Sequence, residues 1–430
     1  MIWPLAVVLA LLFGTLGLGI WIGIALFWVA VISLDLFRDI AIGRFLASDI
    51  WGTITGDELV TLPLFILMGE ILFHTRLSEN LFNGLAPWTR RLPGRLLHVN
   101  VVGSALFSAV SGSSAAGIAT MGRITLKELK TRGYDDGLAI GSLVGAGTLG
   151  FLIPPSIPMI VYGVLANVSI LDLFIAGIIP GAILMLLYML YIAVRTWITP
   201  SMVGAPVAQA PLRERLVAFG QLLPVVFLMA FVMGSMFTGW ASITEAAAVG
   251  VLGAILIGLW QRSLTPSKFW RALLATVRTC SMIALILLGA LFLSKVVARL
   301  GIPAATAGAI AQAGLHPYML ILLLMIVYLV LGTVLDGLSA IVMTLSVTLP
   351  LVVQAGYDPI WFGVFLVITA ELAQVSPPVG INLSIIQNLT GYSQNRVAYS
   401  SLPFCLILLG FTALITVFPE IVTFGPKLLK

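Results

Sequence analysis

The sequence predicts an all-α polytopic membrane protein built as an inverted repeat, with two re-entrant hairpins and two broken helices. Three observations carry that prediction. Hydrophobic residues fill 60% of the 430 positions and charged residues 9%, with a mean hydropathy of +1.13, a composition whose surface only a bilayer hides. Apolar stretches recur at about 20 residues, the length that crosses a hydrocarbon core of roughly 30 Å, and none alternates as a membrane strand would. The chain also repeats itself: its two Pro-Pro pairs, Pro154-Pro155 and Pro377-Pro378, lie 223 residues apart, as do its two Gly-Tyr-Asp triplets, at Gly133 and Gly356. Pro180 matches Pro403, and Arg76-Leu77 matches Arg299-Leu300, at the same shift. A duplicated unit with prolines inside apolar segments is the signature of a secondary transporter whose site lies at the repeat interface.

The elements follow in order. Helices are expected over 2–18 and 20–36; no Lys or Arg precedes Arg38, so the first stretch lacks the basic flank of a cleavable signal and reads as a retained anchor. A span over 58–75 opens the first repeat. The apolar run 98–122 carries the small, polar break Ser111-Gly112-Ser113-Ser114-Ala115 and reads as a hairpin, while 138–167 is a helix broken at its Pro-Pro pair. Spans over 173–195, 218–238, 242–261 and 278–299 come next. A second hairpin over 315–352 turns at Thr333–Ser339, a second broken helix covers 359–390, and a last span covers 398–420. The chain thus divides into N-terminal scaffold helices (1–57), a first repeat (58–195), a linking loop with scaffold helices (196–277) and a second repeat (278–430).

Basic residues set the orientation. Arg76, Arg90, Arg91 and Arg95 precede the first hairpin and Arg123, Lys127, Lys130 and Arg132 follow it, whereas Ser346–Asp358 after the second hairpin holds none. Equivalent loops therefore lie on opposite sides of the membrane by the positive-inside rule, and the repeat is inverted. Ten full spans and two hairpins place both termini in the periplasm. The net charge of +5 is spread over short loops, which speaks for orientation and against nucleic acid.

Chemistry is expected at the four interruptions. Proline removes a backbone donor and frees carbonyls that lipid cannot satisfy but a cation or a substrate can. The oxygen ligands expected to hold Na⁺ as coupling ion are Ser111, Gly112, Ser113, Ser114, Thr148, Gly150 and Ser156 in the first repeat. Their second-repeat counterparts are Thr333, Asp336, Gly337, Ser339, Ser376, Gly380 and Asn382. An anionic substrate is expected at Ser113, Ser156, Arg299 and Asp336. Shifted by 223, Ser113 falls on Asp336, a carboxylate expected deep in the bundle, where a charge at a helix centre costs about 2.5–3.5 kcal/mol. The same hydroxyls also serve plain helix packing in membranes, and Arg299 also fits snorkelling to the interface. Glu70 and Glu245 sit on no helix break and are read as structural; Glu371 lies beside the second break. Cys280 and Cys405 read as buried small hydrophobes, and His74, His98 and His316 lack metal-ligand spacing. No G-x-x-x-x-G-K-[ST] occurs, so ATP is not the energy source of this chain.

At these residues the sequence resembles a family. SGSSAAGIATMG, RGYDDG, GTLGFLIPPSIPMIVYGV and LFIAGIIPG, with LPLFILMGE near 62, ITEAAAVGV near 243 and ELAQVSPPVGINL near 371, are similar to the large membrane subunit of tripartite ATP-independent periplasmic (TRAP) transporters, over nearly the whole chain. Two departures touch only local loops: Ser242-Ile243-Thr244-Glu245 stands where the family often has Thr-Pro-Thr-Glu, and a proline common after the first hairpin is replaced near Thr125. The resemblance implies no enzyme and no cofactor, but sodium-driven symport of a small organic acid across the bacterial inner membrane by an elevator motion. It also implies a soluble periplasmic binding protein and a small membrane subunit of about four helices as a separate chain. The alternative is a stand-alone ion-coupled anion transporter of related hairpin architecture. An intramembrane serine hydrolase fits poorly, since Gly112-Ser113-Ser114 lacks the G-x-S-x-G form.

Overall fold

The computed structural model describes residues 3–38, 43, 46–47, 51–52, 56–204, 210–312, 316–333, 335–377 and 379–428. Among them are nineteen α-helices, one 3-10 turn at Pro200–Met202, and no strand. The first helices are α1 (Trp3–Gly17), α2 (Ile22–Phe37), α3 (Asp57–Phe73) and α4 (Leu77–Thr89). A central group follows: α5 (Leu97–Ser111), α6 (Ser114–Thr131), α7 (Asp136–Gly147), α8 (Ile157–Ala166) and α9 (Ile170–Ile198). Then come α10 (Leu212–Phe237), α11 (Ile243–Trp260), α12 (Pro266–Arg299) and α13 (Ile302–Gln312). The second central group is α14 (Pro317–Gly332), α15 (Gly337–Gln354), α16 (Pro359–Gln374), α17 (Ile381–Thr390) and α18 (Gln394–Val417), with α19 (Glu420–Leu428) at the end.

Six helices, α9, α10, α11, α12, α15 and α18, are long and apolar enough to cross a membrane, and α3 with α4 makes a further pair bent by 68°. The other expected spans are shorter pieces or are interrupted. The expected helix over 278–299 begins instead at Pro266, because Thr265 caps it by accepting the Lys268 N–H and Pro266 sits in its first turn, where a missing N–H does no harm. Lys268, Arg271 and Arg278 dilute the apolar signal over that extension. The amphipathic α4 and the short α13 and α19 were not expected, since none is apolar for long enough.

The core lies where the two five-helix groups meet. Every residue of α7 from Leu138 to Gly147 and every residue of α16 from Trp361 to Gln374 is buried. Small residues let these helices close on their neighbours: Gly145 seats against Phe404 on α18, and Gly363 against the Tyr162 ring on α8. The Tyr162 hydroxyl donates to Pro359 O at 2.6 Å, and Trp361 Nε1 donates to Ile415 O at 2.8 Å. Outside this core, α2 runs along α12, α11 along α3 and α10 along α4. These outer helices turn Leu252, Leu256, Leu259, Trp260, Phe227 and Leu223 outward, an apolar exterior suited to lipid.

Equivalent positions of the two groups are capped alike. Asp135 accepts the Leu138 N–H at 2.7 Å and Asp358 the Ile360 N–H at 2.7 Å. Glu245 completes a capping box, its carboxylate accepting the Ser242 N–H at 2.8 Å, which is a structural use of that acid. Glu70 is half-buried, 3.8 Å from His74 Nε2.

Candidate functional site between the hairpin tips and the broken helices

The first hairpin turns on two residues. α5 ends at Ser111; Gly112 adopts φ 61°, ψ 15°, and its N–H donates to Ser108 O at 2.7 Å. That left-handed corner suits glycine, which has no Cβ to clash with the following carbonyl. Ser113 then returns to extended backbone and caps α6 by accepting the Ala116 N–H at 3.3 Å. The second hairpin does the same with an acid: Asp336 caps α15, its Oδ2 accepting the Ser339 N–H at 3.1 Å while the Ser339 hydroxyl donates to Oδ1. Expected deep in the bundle, Asp336 is instead exposed. It lines, with Ser339, Arg278, Trp21 and Leu285, a cavity of about 640 Å³ between α12, the turn before α2 and this hairpin.

The breaks terminate cleanly. α7 ends at Gly147, and after a turn and the cis Pro154-Pro155 bond Ser156 caps α8, accepting the Met159 N–H at 3.4 Å. α16 ends at Gln374, and α17 begins after Gly380; Pro378, like Val334 in the second hairpin, lies outside the described residues. Four of the predicted hydroxyls bond carbonyls beside these interruptions: Thr148 to Gly145 O at 2.7 Å, Ser156 to Phe151 O at 2.5 Å, Thr333 to Val330 O at 2.7 Å and Ser376 to Leu372 O at 2.6 Å; Gly145 O, Val330 O and Leu372 O also accept a backbone N–H. Thr148 also meets the buried Tyr188 hydroxyl at 2.9 Å.

Hairpins and breaks close on each other through glycine. A Cβ built on Gly150 would lie 2.9 Å from Ser108 Cβ and 3.0 Å from Ser114 Cα, so the first break is pressed against the first hairpin. A Cβ on Gly337 would lie 2.9 Å from Ala370 Cβ, 3.0 Å from Gln374 Nε2 and 3.3 Å from the Phe151 ring, so the second hairpin touches both breaks.

One residue joins the halves. The buried Ser114 Oγ lies 2.9 Å from Gly147 O on α7, 3.0 Å from Glu371 Oε2 on α16, and accepts Asn382 Nδ2 of α17 at 2.9 Å. Buried polar atoms without hydrogen-bond partners occur on the helices of this hairpin and of the second break, α5, α16 and α17: Ser104 Oγ, Ser108 Oγ, Thr369 Oγ1, Glu371 Oε1, Gln374 Nε2 and Asn382 Oδ1. Unsatisfied buried oxygens are what a hard cation takes as ligands, and Ser108 Oγ and Asn382 Oδ1 fit that demand.

The structure therefore brings Ser114, Gly150 and Asn382 together, and seats Gly112 against Ile157 and Gly337 against Phe151. Ser111 bonds only within its turn. Arg299 is set apart: it ends α12, 21 residues beyond Arg278, or about 30 Å along the axis, and its carbonyl accepts Arg38 Nη2 at 3.0 Å. Sequence reasoning noted Glu371 beside the second break without making it a site residue, and passed over Gln374, Ser108 and Thr369. For Glu371 the signal was present, a lone acid at the end of an apolar helix just before a Pro-Pro pair.

The family described as "Tripartite ATP-independent periplasmic transporter, DctM component" matches residues 8–421. The sialic acid TRAP transporter large permease protein SiaM of Vibrio cholerae is 30% identical over 425 residues, covering 97% of this chain and 98% of that protein. The C4-dicarboxylate TRAP transporter large permease protein DctM of Pseudomonas aeruginosa is 31% identical over 396 residues, 91% of this chain and 90% of that protein. Among solved structures, the Alcanivorax borkumensis YdaH transporter superposes with a TM-score of 0.68 at 15% identity, over 93% of this chain and 97% of that chain. That last likeness is one of fold alone.

Proposed function

Because the chain belongs to the DctM component family of tripartite ATP-independent periplasmic transporters, we propose that it is the large permease that carries a small organic acid across the bacterial inner membrane by sodium symport. Relatives named for sialic acid and for C4-dicarboxylates support a carboxylate-bearing substrate. The observation that carries the reading is Ser114, a hairpin residue of one half bonded to both breaks. Such a contact makes hairpins and broken helices one body able to move against α1–α4 and α10–α13, an elevator within an inverted repeat whose termini both face the periplasm. Na⁺ supplies the driving gradient when bound; Ser108, Ser114 and Asn382 offer it oxygens, with backbone of the Gly112 and Gly150 turns. Asp336 and Ser339, which line the cavity that also holds Arg278, meet the acid from the second hairpin. A soluble binding protein delivers the substrate, and a small membrane subunit braces the scaffold.

The test is uptake into proteoliposomes containing the permease, its small subunit and the binding protein. An inward sodium gradient is expected to drive uptake and a proton gradient alone to fail. Asp336→Ala is expected to abolish uptake in folded protein. Full transport on protons alone refutes sodium coupling, and strong uptake without the binding protein favours the stand-alone anion transporter instead.

A further inference from the structure

Of the described Lys and Arg side chains, Arg215 alone is buried. It stands in the first turns of α10, where Arg213, Glu214 and Leu216 beside it are exposed. Ala218 and Leu222, three and seven residues on, share its helix face. That face packs on α4: a Cβ built on Gly84 would lie 3.0 Å from Ala218 O and meet the Leu222 side chain. The Trp88 ring meets that of Phe219 edge-on at 6.1 Å, and Arg90 Nη2 lies 3.3 Å from Glu214 Oε1. Arg215 is thereby held where the end of α4 crosses the start of α10.

Among the described residues nothing answers its charge. Nε is buried without a hydrogen-bond partner, and no ion pair involves the guanidinium. Segments 89–95 and 211–215 hold five arginines and one acid, and that acid, Glu214, is engaged by Arg90. A buried lysine or carboxyl escapes such a position by changing its protonation, but a guanidinium does not deprotonate in proteins. A charge buried without a partner is unfavourable, so the position calls for an anion from outside the chain. With Nε sealed off, the terminal nitrogens are what such an anion meets, and their planar fork matches two oxygens of a phosphate.

The corner lies at the level of lipid headgroups. Trp88, Leu92, Leu212 and Leu216 are exposed around it, apolar side chains interleaved with arginines, and tryptophan is at home at that boundary. Basic residues gather at this end of the bundle, which the positive-inside rule assigns to the cytoplasm, the side on which basic pockets between helices take up anionic headgroups.

We propose that Arg215 anchors a phosphate-binding site occupied by the headgroup of an anionic phospholipid of the cytoplasmic leaflet, which closes the junction of α4 with α10. The test needs neither sodium nor transport. The permease, delipidated in detergent, is unfolded thermally with added phosphatidylglycerol, phosphatidylcholine or inorganic phosphate, as the wild type, Arg215→Met and the exposed control Arg213→Gln. Phosphatidylglycerol is expected to raise the unfolding temperature of the wild type and of Arg213→Gln, the other two additions to leave it unchanged, and Arg215→Met to lose the shift. Without lipid, Arg215→Met is expected to be at least as stable as the wild type, because methionine fills the space without an unpaired charge. By native mass spectrometry, phosphatidylglycerol is expected to bind Arg215→Met about tenfold more weakly, the loss of one charge-assisted pair. Should that variant not fold, Arg215→Lys, which keeps the charge and loses the fork, is expected to bind the lipid more weakly than the wild type, and equal binding overturns the proposal. Three further results overturn it: a shift in Arg215→Met equal to that of the wild type, or none in either; lower stability of Arg215→Met without lipid, which makes Arg215 structural; and a shift produced equally by inorganic phosphate, or only by adding the small membrane subunit, which assigns the guanidinium to a free anion or to an acidic side chain of that subunit.

Discussion

Adding one methyl group at Gly150 tests whether the hairpin and the break must touch. The new Cβ would lie 2.9 Å from Ser108 Cβ, 3.0 Å from Ser114 Cα and 3.1 Å from Gly147 O. Two of those atoms belong to the main chain and the third is fixed to it, so no side-chain rotation relieves the clash. Overpacking of this kind costs about 1–3 kcal/mol, which lowers the population of the closed contact by about 5- to 150-fold. Sodium-driven uptake by Gly150→Ala in proteoliposomes is expected to fall within that range, with a lowered unfolding temperature in detergent. Gly410→Ala on α18, where a Cβ meets nothing within 4 Å, is the control and should transport normally. Adding Ser108→Gly to Gly150→Ala removes the nearest clash but costs about 1 kcal/mol of helix propensity, so partial recovery is expected. Wild-type uptake and stability in Gly150→Ala alone would refute the reasoning, because the packed contact would then be dispensable.

Cysteines at the exposed Lys127 on α6 and Gln354 at the end of α15, on the helices that follow the two hairpin turns, should differ toward an impermeant thiol reagent once Cys280 and Cys405 are replaced. In cells with a permeable outer membrane, 354 is expected to label and 127 to be spared; labelling of both breaks the inversion. Tyr188→Phe removes one buried hydrogen bond while Thr148 keeps Gly145 O, so about 1 kcal/mol of stability should be lost with uptake retained. A tenfold fall in its uptake would move Tyr188 into the ligand site. Ser242→Ala dismantles the capping box of α11 and should cost about 0.5–2 kcal/mol of stability with little effect on transport, checked by thermal unfolding.

The interruptions were legible because they break a strong background. In an apolar chain, glycine, serine and paired prolines at a constant shift mark turns regardless of tertiary detail, and Ser113 and Asp336 do cap equivalent helices. Partnership was harder to read. Thr148, Ser156, Thr333 and Ser376 were expected to offer oxygens to Na⁺; their hydroxyl hydrogens go to nearby carbonyls, which leaves the lone pairs that a cation takes, and this local pairing is not encoded in composition. Glu371 was visible as a charge, but its meeting with Ser114 spans 257 residues and follows only from how α16 lies against the first hairpin. The extent of α12 escaped for another reason: its first turns carry basic residues, and hydropathy sees where a helix enters lipid and not where it begins.

Those four hydroxyls bear on the half of a transport cycle in which nothing is carried. A symporter must return empty, and a carrier whose broken helices relied on cargo to satisfy their ends would bring bare carbonyls back through the low-dielectric barrier. Here four carbonyls beside the breaks accept hydroxyls of the chain itself, three of them in addition to a backbone N–H, so in the proposed symport the unloaded state is spared that penalty. In the proposed symport, coupling then falls to the few buried polar atoms still unpartnered on the hairpin and the second break rather than to the whole fold.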